Sequence, residues 1–222
     1  TSQNESRLQS TGLPSQSEAR SETCPRWQTL LKTAIRSPQQ LCETLQLPAS
    51  WLPAAEQAAK LFPVFAPLPY LDRIPPGDPH DPLLRQILPV FEELQSVPGF
   101  QQDPVAEGES QLASGLLQKY RGRALLITTG ACAIHCRYCF RRHYPYTQQP
   151  HSLAQWAPAL EAIAADHSLE EIILSGGDPL TLRDHHLAEL TRQLAAIEHV
   201  QRIRIHTRLP IMIPQRVDDL LL

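Results

Sequence analysis

The chain has 222 residues, a formal net charge of −3 and a pI near 6.3, and 42% of its residues are hydrophobic. This length can form one large domain or two small ones, and the weakly acidic balance argues against a nucleic-acid partner, because nucleic-acid binders usually carry a basic patch. The longest apolar runs have about five residues, far short of the roughly 20 that a membrane-spanning helix needs, so we expect no membrane segment. Residues 1–23 are polar and contain no hydrophobic targeting segment.

The amino-terminal part is predicted to be a polar tail followed by short helices. Residues 1–23 are rich in Ser, Gln, Glu and Arg and cannot bury enough apolar surface to offset the entropy lost on ordering, so we predict a disordered tail. Apolar residues recur at helical intervals over residues 27–47, with a second helix start at Ser37 and Pro38, which indicates two short helices. A third helix is predicted from residue 53 to about 61.

Residues 62–104 are crowded with proline. Each internal proline removes a helical hydrogen-bond donor and clashes with the preceding turn, so we expect only short helices, at 70–74 and 81–93. Residues 24–105 together are predicted to form a small helical region, and residues 103–118 are predicted to be irregular.

Strands and helices alternate in the remainder, and we predict a second region over residues 106–222. The strands are predicted at residues 124–128, 171–174 and 202–206, and the helices at 152–166, at 184–198 and from about 215. Such alternation implies parallel βα units, in an α/β sheet or barrel with helices outside. In these folds the chemistry gathers at the carboxyl ends of the strands.

Three of the five cysteines, Cys132, Cys136 and Cys139, follow the first of these strands with C-x3-C-x2-C spacing. A compact loop after a strand would bring their thiolates to one inorganic centre. A closed zinc site needs four protein ligands, and His135 or His143 could complete one. A [4Fe-4S] cluster on three cysteines would leave one iron open for a substrate or cofactor. The spacing alone leaves a cluster, a zinc site and unligated thiols open.

The two other cysteines, Cys24 and Cys42, are isolated and predicted to be ordinary thiols in helical surroundings. Clustered cysteines in a chain without a secretory signal indicate metal binding in a reducing compartment. We therefore predict a cytoplasmic protein.

A second motif lies downstream of the cysteine motif, and the two motifs together indicate a protein family more specifically than either does alone. The cysteine spacing, with Tyr138 directly before the last cysteine, resembles the signature of the radical S-adenosylmethionine (SAM) enzymes. The segment S-G-G-D-P-L at residues 175–180 resembles the glycine-pair signature of the same superfamily. The segments C-F-R-R-H at 139–143 and I-R-I-H-T-R-L-P at 203–210 narrow the resemblance to the lysine 2,3-aminomutase family. It covers roughly residues 27–222.

The resemblance implies a partial (β/α) radical SAM barrel with about three βα units. Cys132, Cys136 and Cys139 would bind a [4Fe-4S] cluster whose open iron takes the amino and carboxylate groups of SAM. Tyr138 matches the aromatic position that lies against the adenine. The implied contacts to the methionine end of SAM come from the second motif: Ser175, Gly176, Gly177 and Asp178. Asp178 could instead cap a turn before Pro179.

Arginines after the last cysteine are the implied substrate contacts. Arg141 matches the family position that holds the substrate carboxylate, and its planar fork suits that task. Arg142 and Arg208 are weaker candidates, for pyridoxal phosphate or the cofactor carboxylate, with an ordinary ion pair as the alternative. We expect His135, His143 and His206 to be structural.

The implied reaction converts L-α-lysine to (R)-β-lysine with SAM, the cluster and pyridoxal phosphate as cofactors, and it needs an electron donor. Segments 81–86 and 140–146 look most like the family branch whose β-lysine modifies elongation factor P. The family's pyridoxal-phosphate lysine belongs to a glycine-rich carboxyl-terminal loop, and none of Lys32, Lys60 and Lys119 has such a setting. We therefore expect an amino-terminal portion of an aminomutase, incomplete for catalysis.

Other functions remain open at this stage. One is a radical SAM aminomutase that acts on glutamate or on lysine for catabolism. Another is a non-catalytic zinc module in which the cysteines only staple a loop. Homo-oligomerisation is left open by the sequence.

Overall fold

The computed structural model describes residues 26–150 and 152–222, so the predicted tail and Cys24 lie outside the described residues. Helices and a single mixed sheet make up this part of the chain. Among the described residues, no helix has both the length and the apolar character needed to cross a membrane. The α-helices are α1 (Trp27–Lys32), α2 (Pro38–Thr44), α3 (Leu52–Ala58), α4 (Leu68–Leu71), α5 (Leu153–Ala165), α6 (Asp184–Ala195) and α7 (Leu209–Met212).

The first four helices are short, as predicted for residues 27–47 from their periodicity and for α4 from the proline content of residues 62–104. α2, α3 and α4 each carry proline at the first or second helical position, where its missing N–H costs no hydrogen bond. The helix predicted at 70–74 begins and ends earlier, as α4. The helix predicted over 81–93 is wrong, because Pro89 interrupts it and leaves two 3-10 turns, Leu84–Gln86 and Phe91–Leu94.

The sheet has five strands in the order β1-β2-β3-β4-β5. The strands are β1 (Gln111–Ala113), β2 (Leu116–Tyr120), β3 (Arg123–Thr129), β4 (Glu171–Gly176) and β5 (Arg202–Ile205). β1, β2 and β3 are antiparallel neighbours. The prediction that 103–118 is irregular is therefore wrong for its second half. Gly115 and Gly122 adopt positive φ between these strands and allow tight turns that the short apolar runs did not reveal.

β3, β4 and β5 are parallel, which confirms the three predicted strands and the α/β fold class. Leu126 of β3 pairs with Leu174 of β4, and Leu174 pairs with Ile205 of β5. α5 and α6 form the crossovers between them, while only the single-turn helix α7 follows β5. The helix predicted from residue 215 is wrong: Pro214–Arg216 is a 3-10 turn. All three parallel strands therefore end at the same edge of the sheet.

The helical region packs directly against the cysteine loop. The loop amide of His135 donates to the Phe65 carbonyl at 2.9 Å, and that of Arg137 donates to the Gln86 carbonyl at 2.8 Å. One buried hydrophobic cluster also joins residues of both regions, such as Leu84 and Leu126. The division into 24–105 and 106–222 stays a prediction.

The end of β4 crosses the cysteine loop at backbone contact distance. The Gly177 amide donates to the Thr129 carbonyl, and the Asp178 amide donates to the Ala131 carbonyl, both at 2.7 Å. Gly176 has φ +111°, and a Cβ on Gly177 would lie 2.2 Å from the Ala131 oxygen. The glycine pair is thus required by the contact between two stretches of this chain, besides any ligand.

Replacing Gly177 with alanine should lower the free energy of unfolding by about 1–3 kcal/mol or more, because the new methyl group would overlap backbone that cannot swing away. Urea denaturation measures this change. Gly108→Ala is the matched control: its Cβ would meet only the Asp103 side chain, at 3.9 Å, so a change within about 0.5 kcal/mol is expected. Equal losses in the two variants would show that the crossing does not require glycine.

Candidate functional site

A cavity of about 490 Å³ lies at the carboxyl ends of the parallel strands. This size is typical of small-molecule sites. Ten of the eleven predicted site residues line it, and Arg142 is the exception. The ten are Cys132, Cys136, Tyr138, Cys139, Arg141, Ser175, Gly176, Gly177, Asp178 and Arg208. The two sequence motifs and the end of β5 therefore share one site.

The three loop cysteines are free thiols and partly buried. Burial, followed by the Asp178 charge, raises the pKa of the Cys132 thiol to about 12. Burial also raises the pKa of Cys136, although Arg208 opposes the shift. Three soft sulfur donors around one cavity fit an iron–sulfur cluster. Cys42, by contrast, lies in α2 within the hydrophobic core, away from this site.

A mononuclear metal site is a different arrangement. Within residues 26–150 and 152–222, no group of three or more His, Cys, Asp or Glu side chains is arranged to hold one metal ion. A cubane cluster presents several irons, and each iron takes its own thiolate. The three thiolates of a cluster site therefore surround the space that the cluster fills, whereas the ligands of a mononuclear site all point at one metal ion.

Arg141 is buried and already paired with a carboxylate. Its Nε lies 2.8 Å and its Nη2 2.6 Å from oxygens of Glu107, which is also buried. Nη1 donates to Ser175 Oγ at 3.3 Å, and the guanidinium lies over the Phe140 ring. Burial disfavours the charged guanidinium, yet the pKa of Arg141 is raised, because the Glu107 carboxylate outweighs burial. Glu107 holds the Nε–Nη2 edge of the guanidinium, and Nη1 contacts Ser175, which also lines the cavity.

The Asp178 carboxylate is buried and fully engaged within the chain. Oδ1 accepts from the Leu180 amide at 3.0 Å and from Thr207 Oγ1 at 2.6 Å. Oδ2 accepts from the amides of Arg208 and Leu209 at 2.8 and 2.9 Å. Of the two roles predicted for Asp178, these contacts favour the turn cap, and they extend it to the start of α7.

Arg208 reaches back from the end of β5 to the cysteine loop. Nη1 lies 2.6 Å from Cys136 Sγ, and Nη2 donates to Gln86 Oε1 at 2.9 Å. Its guanidinium carbon lies 5.3 Å from the centroid of the Tyr138 ring. The Tyr138 hydroxyl donates to the same Gln86 oxygen at 3.2 Å. Gln86 thus holds two of the predicted site residues.

Arg142 faces away from the cavity. Its Nη2 lies 2.8 Å from Glu93 Oε2, and its guanidinium lies over the Phe62 ring. The other Glu93 oxygen binds Nε of Arg137 at 2.6 Å. The contacts of Arg142 favour the ion-pair alternative, and its weaker assignment to a cofactor stays a prediction.

The three histidines near the motifs differ in their surroundings. His135 stacks on Phe62 and its Nδ1 lies 2.7 Å from the Pro63 carbonyl. Burial lowers its pKa, in keeping with a structural role. His143 is exposed outside the main cavity, whereas His206 is exposed and lines it.

No lysine in the described part of the chain lines the cavity. Lys32, Lys60 and Lys119 are all exposed. The residues at the site therefore do not supply an anchor for pyridoxal phosphate, and we assign it no residue in this chain.

Three residues that hold the site were not found from the sequence: Gln86, Glu93 and Glu107. Each lies 30 or more positions before its partners in the chain. Gln86 and Glu93 lie in the proline-rich stretch, and Glu107 lies in the stretch predicted to be irregular. The sequence shows at each position only a carboxylate or amide side chain, and this does not indicate which arginine it contacts.

Comparison with known proteins agrees with this site. A family model described as the radical SAM superfamily matches residues 126–221. Over 193 residues the chain is 46% identical to an L-lysine 2,3-aminomutase of Haemophilus influenzae, and over 196 residues it is 46% identical to that of Escherichia coli strain K12. An L-lysine 2,3-aminomutase of Clostridium subterminale is 30% identical over 192 residues.

These alignments cover most of this chain and about half of the relatives. They include 87%, 88% and 86% of the chain, but only 57%, 57% and 46% of the respective relatives. The family implies a [4Fe-4S] cluster, SAM and pyridoxal phosphate as cofactors. The chain therefore contains a radical SAM domain, as its cysteine spacing and glycine pair predicted, and over most of its length it is homologous to the L-lysine 2,3-aminomutases.

Proposed function

We propose that this chain carries the cluster site and the SAM site of an aminomutase that moves the amino group of L-lysine from C2 to C3. The observation that supports it most strongly is the shared cavity, where three free thiols, the glycine pair and a buried arginine meet. The printed name of the relatives, L-lysine 2,3-aminomutase, supports lysine as the substrate.

Cys132, Cys136 and Cys139 serve as the three thiolate ligands in this proposal. Three ligands leave one iron available to the amino and carboxylate groups of SAM. When bound, the cluster supplies one electron that splits a carbon–sulfur bond of SAM and yields a radical able to take hydrogen from the substrate. Ser175, Gly176 and Gly177 line the same cavity, where small residues let a ligand approach the backbone.

Arg141 is the proposed partner of the substrate carboxylate. Glu107 occupies Nε and one side of Nη2, so the Nη1 edge beside Ser175 remains for a second carboxylate. Arginine can bind two carboxylates through separate edges because it has five N–H donors. The Glu107 pair also keeps the buried guanidinium from being left without a counter-charge, which would cost about 3–5 kcal/mol.

Apolar side chains line part of the cavity beside the cysteines. Ala133 and Ile134 are buried there, whereas Phe140 and Ile205 are exposed. The apolar lining disfavours water beside a reactive intermediate, which would otherwise undergo side reactions.

We further propose that the product is (R)-β-lysine for the modification of elongation factor P, and that the protein works in the cytoplasm with an electron donor. The segments D-P-L-L-R-Q at 81–86 and F-R-R-H-Y-P-Y at 140–146 support this branch of the family. Clustered free thiols support a reducing compartment.

Anaerobic reconstitution with iron and sulfide tests the core of the proposal. The chain should bind about four irons per molecule, and after reduction with dithionite it should cleave SAM to 5′-deoxyadenosine and methionine. Replacing any one loop cysteine with serine should abolish cleavage, because one cluster ligand is lost. Cys42→Ser is the control and should retain it, since Cys42 lies in α2. A colourless metal bound in equal amount to the protein would contradict the proposal and favour the zinc module.

The substrate is tested with amino acids deuterated at C3, supplied with pyridoxal phosphate. Deuterium from L-lysine should enter 5′-deoxyadenosine, and deuterium from L-glutamate should not. Arg141→Met should abolish the transfer from lysine, because it removes the proposed carboxylate contact together with the pair to Glu107 and the contact to Ser175. Transfer from glutamate and not from lysine would contradict lysine as the substrate.

A further inference from the structure

We propose that Arg208 donates a hydrogen bond to the Cys136 sulfur of the bound cluster and thereby raises the reduction potential of that cluster. This inference rests on the proposed function in one respect, namely that Cys136 is a cluster ligand. It adds a role for Arg208 that is independent of any substrate or cofactor contact.

The contact between Arg208 and the loop is fixed at several points. Nη1 lies 2.6 Å from Cys136 Sγ, while Nη2 is held by Gln86 Oε1 at 2.9 Å. The Tyr138 ring lies under the guanidinium, and the backbone N–H of Arg208 is held by Asp178 at 2.8 Å. The side chain therefore cannot leave the sulfur without losing contacts to both neighbours.

The charge of Arg208 is also unusual among the arginines around the cysteines. Arg137 and Arg142 share Glu93, and Arg141 pairs with Glu107. Within the described part of the chain, Arg208 is in no ion pair; Asp178 accepts its backbone N–H instead of its guanidinium. Among the described residues, no carboxylate therefore neutralises the guanidinium that contacts the sulfur.

A cation at this position favours the reduced cluster. Reduction adds one electron from a one-electron reductant, such as dithionite, to the iron and sulfur atoms, and the cluster becomes more negative. A positive donor on a ligand sulfur stabilises that added charge more than it stabilises the oxidised form. Hydrogen bonds to the sulfurs and net charge are known determinants of cluster potential.

The test is a potentiometric measurement on the reconstituted full chain without SAM, followed by electron spin resonance of the reduced cluster. Arg208→Met should lower the equilibrium constant for reduction about three- to tenfold, which is about 28–59 mV for one electron. Arg208→Lys should give a smaller decrease, because it keeps the charge and loses the fork. Gln86→Leu should lower the potential as well, since it frees Nη2 and loosens the contact.

Arg204→Met is the matched control. It removes the same charge from β5, but Arg204 is exposed, pairs with Glu171 and does not line the cavity. The reduction potential of the cluster in Arg204→Met should equal that of the wild-type chain.

The outcomes separate this inference from the proposed function. A wild-type chain that takes up no cluster would reject the proposed function itself. If Arg208→Met binds its full complement of iron and its cluster has the same reduction potential as the wild type, the inference is overturned and the cluster assignment stays intact. If Arg208→Met fails to hold iron, Arg208→Lys and Gln86→Leu decide: unchanged potentials in both would overturn the inference, and lowered potentials would support it.

Discussion

The candidate site depends on one buried residue, Asp178, that ties together the ends of three parallel strands. It follows β4, its amide is bound to the loop after β3 at Ala131, and its carboxylate is bound to Thr207 and to the first amides of α7 after β5. Four hydrogen bonds to one carboxylate offset the cost of burying its charge. This residue therefore fixes the chain after β5 to the end of β4 through its carboxylate, and it joins the end of β4 to the cysteine loop through its amide.

Charge compensation is the second constraint on the site. Buried arginines are tolerated only with carboxylate or carbonyl partners, because a lone buried charge is costly. Glu107 meets this need for Arg141, and Glu93 meets it for two arginines of the cysteine loop. These carboxylates come from the segment before the sheet. The helical region and its connection to the sheet therefore contribute side chains to the candidate site, besides covering the core.

The sequence predicted the parts of the molecule that follow local rules. The parallel strands, α5 and α6 have strong apolar periodicity; for example, Leu187, Leu190 and Leu194 repeat on one buried helical face. Ten site residues could be predicted because nine lie in two short motifs that resemble known signatures and Arg208 lies in a third segment, residues 203–210, that resembles the same family. The hairpin of β1 and β2 was missed because strands of three and five residues are too short to show a clear alternation of apolar and polar residues. The glycines at its turns were not flanked by long apolar runs that would have indicated strands. Glu107 and Gln86 were missed because their contacts join residues far apart in the chain, and a spacing rule cannot express such contacts.

The central claim is that three cysteines hold a four-iron cluster with one iron left open. Mössbauer spectroscopy of the chain loaded with iron-57, with and without SAM, tests it most directly. The account predicts that SAM changes the spectrum of one iron in four, because only that iron gains nitrogen and oxygen ligands while the others keep their thiolates. Four irons that respond alike, or no response to SAM at all, would contradict it.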